Sequence, residues 1–177
     1  MTGPKQWQIS LEVGAPLTEV WDVVEDVSLI PAYHPHVRQV ELLSGTARRA
    51  PGMSYKCIVP SGKRAGWCVE QVTEHVPLER TVVVFPADSW GLSRLLGDFR
   101  TELSVAPATP DSTRVELVAY YRPQGWRAWV LNGLGLRWLM RRRARQTLEQ
   151  ARQLIEARHV GKIAPGDLHG VRRTARE

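Results

Sequence analysis

Only one segment of this chain can form a long helix, and it must serve as the packing partner for nearly everything else. That segment is GWRAWVLNGLGLRWLMRRRARQTLEQARQLIEAR, residues 125–158. In its C-terminal part Met140, Ala144, Leu148, Ala151 and Ile155 recur at spacings of four, four, three and four, which draws one apolar stripe along a helix. Arg, Gln and Glu occupy the opposite face. The N-terminal part differs. Gly133 and Gly135 weaken it, while Trp129, Leu131, Leu134 and Trp138 make it apolar almost all round.

Ahead of this helix the apolar period is two. In QWQISLEV, residues 6–13, Trp7, Ile9, Leu11 and Val13 share one face and Gln8, Ser10 and Glu12 the other. Six more strands are predicted over 37–44, 52–60, 63–75, 79–87, 98–106 and 113–122, separated by SGTARRAPG, PSGK, VPLE and APATPDS. Such short connections imply antiparallel neighbours. Between the first strand and the rest lies APLTEVWDVVEDVSLIPAYHPHVRQVELL, residues 15–43, a helix that stops and restarts. Val20, Trp21, Val24 and Val27 lie near one face, Ser28 is the expected N-cap of the second piece, and Pro31 and Pro35 keep that piece short. The longer connection PADSWGLSRLLG, residues 86–97, reads as a simple connection or as a mobile loop over an opening.

The order is strand, two short helices, six strands, long helix. A seven-stranded sheet with one apolar face must cover that face, and the C-terminal helix is the large apolar partner for it. The expected architecture is an α+β helix-grip fold, the sheet wrapped around the helix, with a half-open space near the helix end suited to a small molecule. The 177 residues divide into one domain, 1–158, and a basic tail, 159–177, read as disordered.

Two cysteines make no disulfide framework, so two free thiols in a reduced, cytoplasmic setting are expected. No run of about 18 apolar residues is present, and MTGPKQWQIS has no apolar core of a secretory signal. The net charge of +6 is local. RWLMRRRAR (137–145) carries five arginines, and the last 17 residues add four basic against two acidic ones. The remainder is about neutral. No nucleic-acid motif accompanies the charge, so no nucleic-acid partner is expected. A peripheral membrane contact or an acidic carrier protein remains open for the basic face. Monomer and homodimer both remain open.

Strand parity names a cavity lining. Met53, Tyr55, Cys57 and Val59 form the inward set of one strand, and Phe99, Thr101, Leu103 and Val105 that of another. Val115, Leu117, Ala119 and Tyr121 form a third. In 63–75 the Trp67, Val69, Gln71 and Thr73 face is expected inward, because the other face carries Glu70 and Glu74. That parity puts the two cysteines on opposite faces. With Trp129 from the helix, the expected ligand-binding set is Tyr55, Cys57, Trp67, Val69, Gln71, Phe99, Thr101, Leu117, Tyr121 and Trp129. The charged strand residues are expected to face outward.

VGAPLTEVWDVVEDVSLIPAYHPHV looks like the N-terminal signature of the START-related, Bet v 1-like (SRPBCC) superfamily. PGMSYKC, GWCVEQVTEHVPLERTVV and STRVELVAYYRPQG resemble its middle strands, so the likeness spans about residues 6–158 and is closest to the polyketide cyclase/dehydrase-like branch. The resemblance implies the helix-grip fold and a hydrophobic ligand of polyketide, lipid or quinone type. It allows an enzyme that templates cyclisation or dehydration, a non-catalytic carrier, or a partner-binding protein with a vestigial cavity. An acyl carrier protein would be the partner for a tethered polyketide. In the related aromatase/cyclases a Ser-x-Arg pair follows the strand tryptophan. Here Val69 and Gln71 stand in those places, so an amide replaces the guanidinium. His34 as general base and Tyr33 as donor are the candidate catalytic residues. A His34-x-His36 metal site would need His75 as third ligand, so no metal is expected, and no cofactor.

Overall fold

The computed structural model describes residues 3–61 and 64–161. Strand β1 (Lys5–Val13) leads into α1 (Leu17–Glu25), a 3-10 turn (Val27–Leu29) and α2 (Ile30–Tyr33). Strands β2 (Gln39–Ser44), β3 (Ser54–Ser61), β4 (Arg64–Val76) and β5 (Arg80–Asp88) follow. Next come the short helix α3 (Leu92–Leu95), β6 (Leu96–Thr109) and β7 (Ser112–Pro123). The C-terminal helical segment is α4 (Gly125–Leu131), a π turn (Asn132–Leu136) and α5 (Arg137–His159). The expected tail falls almost wholly on residues 162–177, outside the described residues.

All seven strands form one antiparallel sheet in the order β1-β7-β6-β5-β4-β3-β2. Each hairpin places its two strands side by side, and β1 closes against β7. The helix-grip expectation holds. The apolar face wraps α5, whose Met140, Ala144, Leu148, Ala151 and Ile155 stripe points into the grip. Burying such a stripe is the main favourable term available to this pair of layers, at about 25 cal/mol per Å² removed from water.

Two sequence expectations change in detail. Asp26, not Ser28, caps the turn after α1: its Oδ1 accepts from the Ser28 amide at 2.9 Å and the Ser28 hydroxyl at 2.6 Å. A carboxylate there also favours the helix start electrostatically. The long helix is not continuous. Gly135 adopts φ 144°, which an L side chain rarely tolerates, and the π turn sits there.

Candidate functional site

An apolar cavity of about 620 Å³ lies between the sheet and α5. Phe99, Thr101 and Leu117 line it from β6 and β7, Val83 and Phe85 from β5, and the α5 stripe closes the other side. Phe85 and Phe99 stack at 4.3 Å between ring centroids, and Phe99 meets Tyr121 edge-on at 5.7 Å. Tyr33, His34 and His36, set in the broken helix, also line it.

One end of the cavity is polar. Glu70 on β4 faces inward, and its Oε2 accepts a 2.8 Å hydrogen bond from the Tyr55 hydroxyl. The Cys57 thiol lies 3.4 Å from Glu70 Oε1, and the Cys68 thiol 3.9 Å. Arg49 joins them from the β2–β3 loop, its guanidinium 5.7 Å from the centre of the Tyr55 ring. The loop is pinned to the end of α1. Glu25 takes the Arg48 side chain at 2.6 Å, and its carbonyl accepts the Arg49 amide at 2.9 Å. Arg48 is thereby held outside while Arg49 turns in. Arg49 Nε is buried with no hydrogen-bond partner among the described residues. Such an unpaired donor is costly.

Titration follows from this packing. Burial works against the Arg49 charge, but Tyr55, Tyr33, Glu70 and Cys57 outweigh it and hold the guanidinium protonated. Burial pushes the Tyr33 hydroxyl up to about 12 and the Tyr55 hydroxyl well above its usual range, so both remain donors. Burial, then His36, hold His34 down to about 4. Its Nδ1 accepts the His36 amide at 3.2 Å, which assigns the proton of the neutral ring to Nε2. At neutral pH His34 is therefore a donor at Nε2 rather than the base expected from the sequence.

Several sequence expectations are overturned. Trp67, Val69 and Gln71 do not line the cavity. β4 presents Cys68 and Glu70 inward, and Trp67 lies outside beside Lys56, whose Nζ is 5.5 Å from its ring centroid. The reason is register. Ser61 pairs with Arg64, so Cys57 pairs with Cys68 and Tyr55 with Glu70, and paired residues share a face. The two cysteines accordingly lie on the same face, both as free thiols. An irregularity between Val72 and Glu74 then puts Glu74 outside, where it meets Arg80 at 3.1 Å. The two carboxylates that argued for an outward face are thus on different faces. Trp129 is exposed, away from the cavity. Tyr55, Cys57 and Tyr121 are buried in the wall, Tyr121 donating to Asn132 Oδ1 at 2.7 Å.

Sequence reading missed Arg49 and Glu70. The Glu70 signal was present in the PSGK turn, whose pairing fixes β4 parity once Tyr55 is taken inward. For Arg49, neighbouring Arg48 is chemically identical, so only the loop's anchorage separates them. His75 does not join His34 and His36: it packs on Trp21 at 5.4 Å and lies 3.9 Å from Glu25. Among the described residues, metal-ligating atoms gather instead at Cys57, Cys68 and Glu70, all within 4.8 Å of one another. Two thiols and a carboxyl are a donor set that could hold a zinc-like ion. The hydrogen bond with Cys68, then burial, push the Cys57 thiol up, so it is a thiol as it stands.

The rim of the cavity is built by the β5–β6 connection. Asp88 accepts from the amides of Trp90, Leu92 and Ser93 at 2.7, 3.0 and 2.6 Å. Burial acts against its charge, but these hydrogen bonds prevail and hold its carboxyl below the usual range. Trp90 lies over Gly66, where a Cβ would come within 2.3 Å of the ring.

Solved structures share this architecture. The chain is similar to the Zhui aromatase/cyclase from Streptomyces sp. R1128, with TM-score 0.65 and 17% identity over 86% of this chain and 93% of that one. It is similar to a START superfamily protein from Mycobacterium smegmatis, with TM-score 0.61 and 15% identity over 89% and 98%. It is also similar to norcoclaurine synthase from Thalictrum flavum, as a point mutant in complex with a transition-state analogue, with TM-score 0.67 and 14% identity over 88% and 96%. No curated protein matches the chain. The family described as polyketide cyclase / dehydrase and lipid transport matches residues 6–156, and the chain belongs to that family.

Proposed function

We propose that the protein binds a hydrophobic small molecule bearing a few oxygens and templates its cyclisation or dehydration, as a polyketide cyclase-like enzyme. The observation that carries this reading is the polar end of an otherwise apolar cavity. There the half-buried Arg49, with its Nε–H buried and unpaired, and the Glu70 carboxyl lie beside the buried Tyr55 and the half-buried Tyr33. The family and the Zhui likeness support the polyketide class.

In this reading Glu70 takes an α-proton from a poly-β-ketone. The resulting enolate adds to a second carbonyl of the same chain, the new alkoxide takes up a proton, and loss of water yields the unsaturated ring. Arg49 and Tyr33 stabilise the enolate oxygen, and His34 Nε2–H holds a distal carbonyl. The apolar walls select the folded conformer, which removes entropy from the barrier. The guanidinium that Gln71 cannot supply comes from another element, Arg49. The alternative is a non-catalytic carrier of a lipid, sterol or quinone, which the apolar lining also suits.

Native mass spectrometry of the purified protein, followed by solvent extraction, identifies the chemical class of any retained ligand. A linear poly-β-ketone thioester then separates the readings. Wild-type protein is expected to accelerate ring formation, and Glu70→Gln to lose about 10²–10⁴-fold of that rate. Wild-type product formation at the uncatalysed rate, with a lipid or quinone retained, would establish the carrier instead.

A further inference from the structure

The outer face of α4 and the start of α5 is apolar and uncovered. Trp126 is 72% exposed, Trp129 71%, Leu134 80% and Trp138 62%. Trp126, Trp129 and Val130 lie one turn apart on α4 and share a face of it, and Leu134 and Trp138 follow across the π turn. The inner face of the same segment is already occupied. Ala128 is buried, Asn132 holds the Tyr121 hydroxyl, and Leu136, Met140 and Ala144 pack on the core. The segment therefore carries two apolar faces, and among the described residues the sheet covers only one. At roughly 200 Å² each, the three tryptophans alone leave about 400 Å² of apolar surface exposed. That reaches the size at which the largest patch on a monomer is often functional.

Charge accompanies the outer face. Residues 125–148 contain six arginines and no Asp or Glu. Arg127 lies 5.4 Å from the Trp126 ring centroid and Arg142 lies 5.3 Å from that of Trp138. Tryptophan is a residue of the membrane interface, and an arginine beside it can reach lipid phosphate while its stem stays in apolar surroundings. Among the described residues no helix is long and apolar enough to cross a bilayer.

We propose that this face docks on the surface of an anionic lipid bilayer, with Trp126, Trp129, Leu134 and Trp138 entering the interface and the flanking arginines on the headgroups. A second copy fits poorly, because two-fold pairing of this face brings arginine against arginine with no acid in the segment to separate them. An acidic protein would answer the arginines but gives no reason for the exposed tryptophans. The connection carrying the rim residues Trp90 and Leu92 is joined to the start of α4, the Gln124 amide donating to the Leu95 carbonyl at 2.8 Å. Docking would thus bring the bilayer beside the rim. The inference does not depend on any catalytic role for the cavity.

The test is cosedimentation of the full chain with vesicles of phosphatidylcholine alone or enriched in phosphatidylserine, at low and high salt. Binding to the anionic vesicles is expected to exceed that to neutral ones by about tenfold or more and to fall at high salt. Trp129→Ser with Trp138→Ser is expected to lose at least about tenfold in that affinity. Arg141→Gln with Arg142→Gln is expected to lose the preference for anionic lipid. Wild-type protein that stays in the supernatant with every vesicle overturns the proposal, as does a tryptophan variant that binds like wild type. A native-mass dimer that the tryptophan variant dissolves would make the face an interface between copies. Should the tryptophan variant not fold, unchanged anionic preference in the arginine variant overturns the proposal by itself.

Discussion

At the scale of single residues, Arg49 is the least expected part of the molecule. A guanidinium in a largely apolar cavity is tolerated because Tyr33, Tyr55, Glu70 and Cys57 surround it, yet its Nε–H remains unpaired. A ligand oxygen placed there would complete its hydrogen bonding, and hydrogen bonds to charged groups contribute about 1.5–3 kcal/mol. Arg49→Met is therefore expected to weaken an oxygen-bearing ligand by about 10–100-fold, measured by titration calorimetry. It should barely affect a pure hydrocarbon probe. Equal losses for both ligands would mean that Arg49 shapes the cavity rather than reading oxygen. Tyr33 was legible as a donor in the sequence. The neutrality of His34 was not, because it comes from burial and from the His36 amide on Nδ1.

At the scale of elements, the broken helix between α1 and β2 gathers titratable groups that resist charging. His34 is held down to about 4 by burial and then by His36. Burial leads the same downward shift in His36 and His75. Below its ordinary value of 6.5 the unfolded chain takes up a proton that folded His34 refuses. The stability contribution is therefore complete above pH 6.5 and is lost as pH falls toward 4. The melting temperature is expected to drop across this window, and more shallowly in His34→Gln. Parallel curves for the two proteins would show that His34 is not the group responsible. The other informative element is β4. Its alternation was legible, but its orientation followed from pairing with β3 and from the irregularity near Glu74, and period-two reasoning sees neither.

At the scale of the whole molecule, the sheet, the β5–β6 connection and α5 all line the cavity, so a ligand there bridges the layers of the fold. A ligand present at one hundred times its dissociation constant adds about 2.7 kcal/mol to stability. For a chain of this length that raises the melting temperature by about 5–10 °C. Scanning calorimetry of the extracted protein with and without the returned ligand checks this, and an unchanged midpoint would show that the folded protein does not bind it. The sequence by itself determined the element order, the antiparallel sheet, the gripping stripe of α5 and the inward sets of β3, β6 and β7. These rest on local periodicity, which each segment carries alone. Only the tertiary structure decided that Glu70 and Cys68 face the ligand, that Arg49 rather than Arg48 turns inward, and that Trp129 faces outward. Those placements depend on strand register, on a loop anchored to α1 through Glu25, and on a π turn that re-aims the helix. Register and anchorage are set by pairing between segments and the π turn by a break at Gly135, and no apolar periodicity within one segment encodes them.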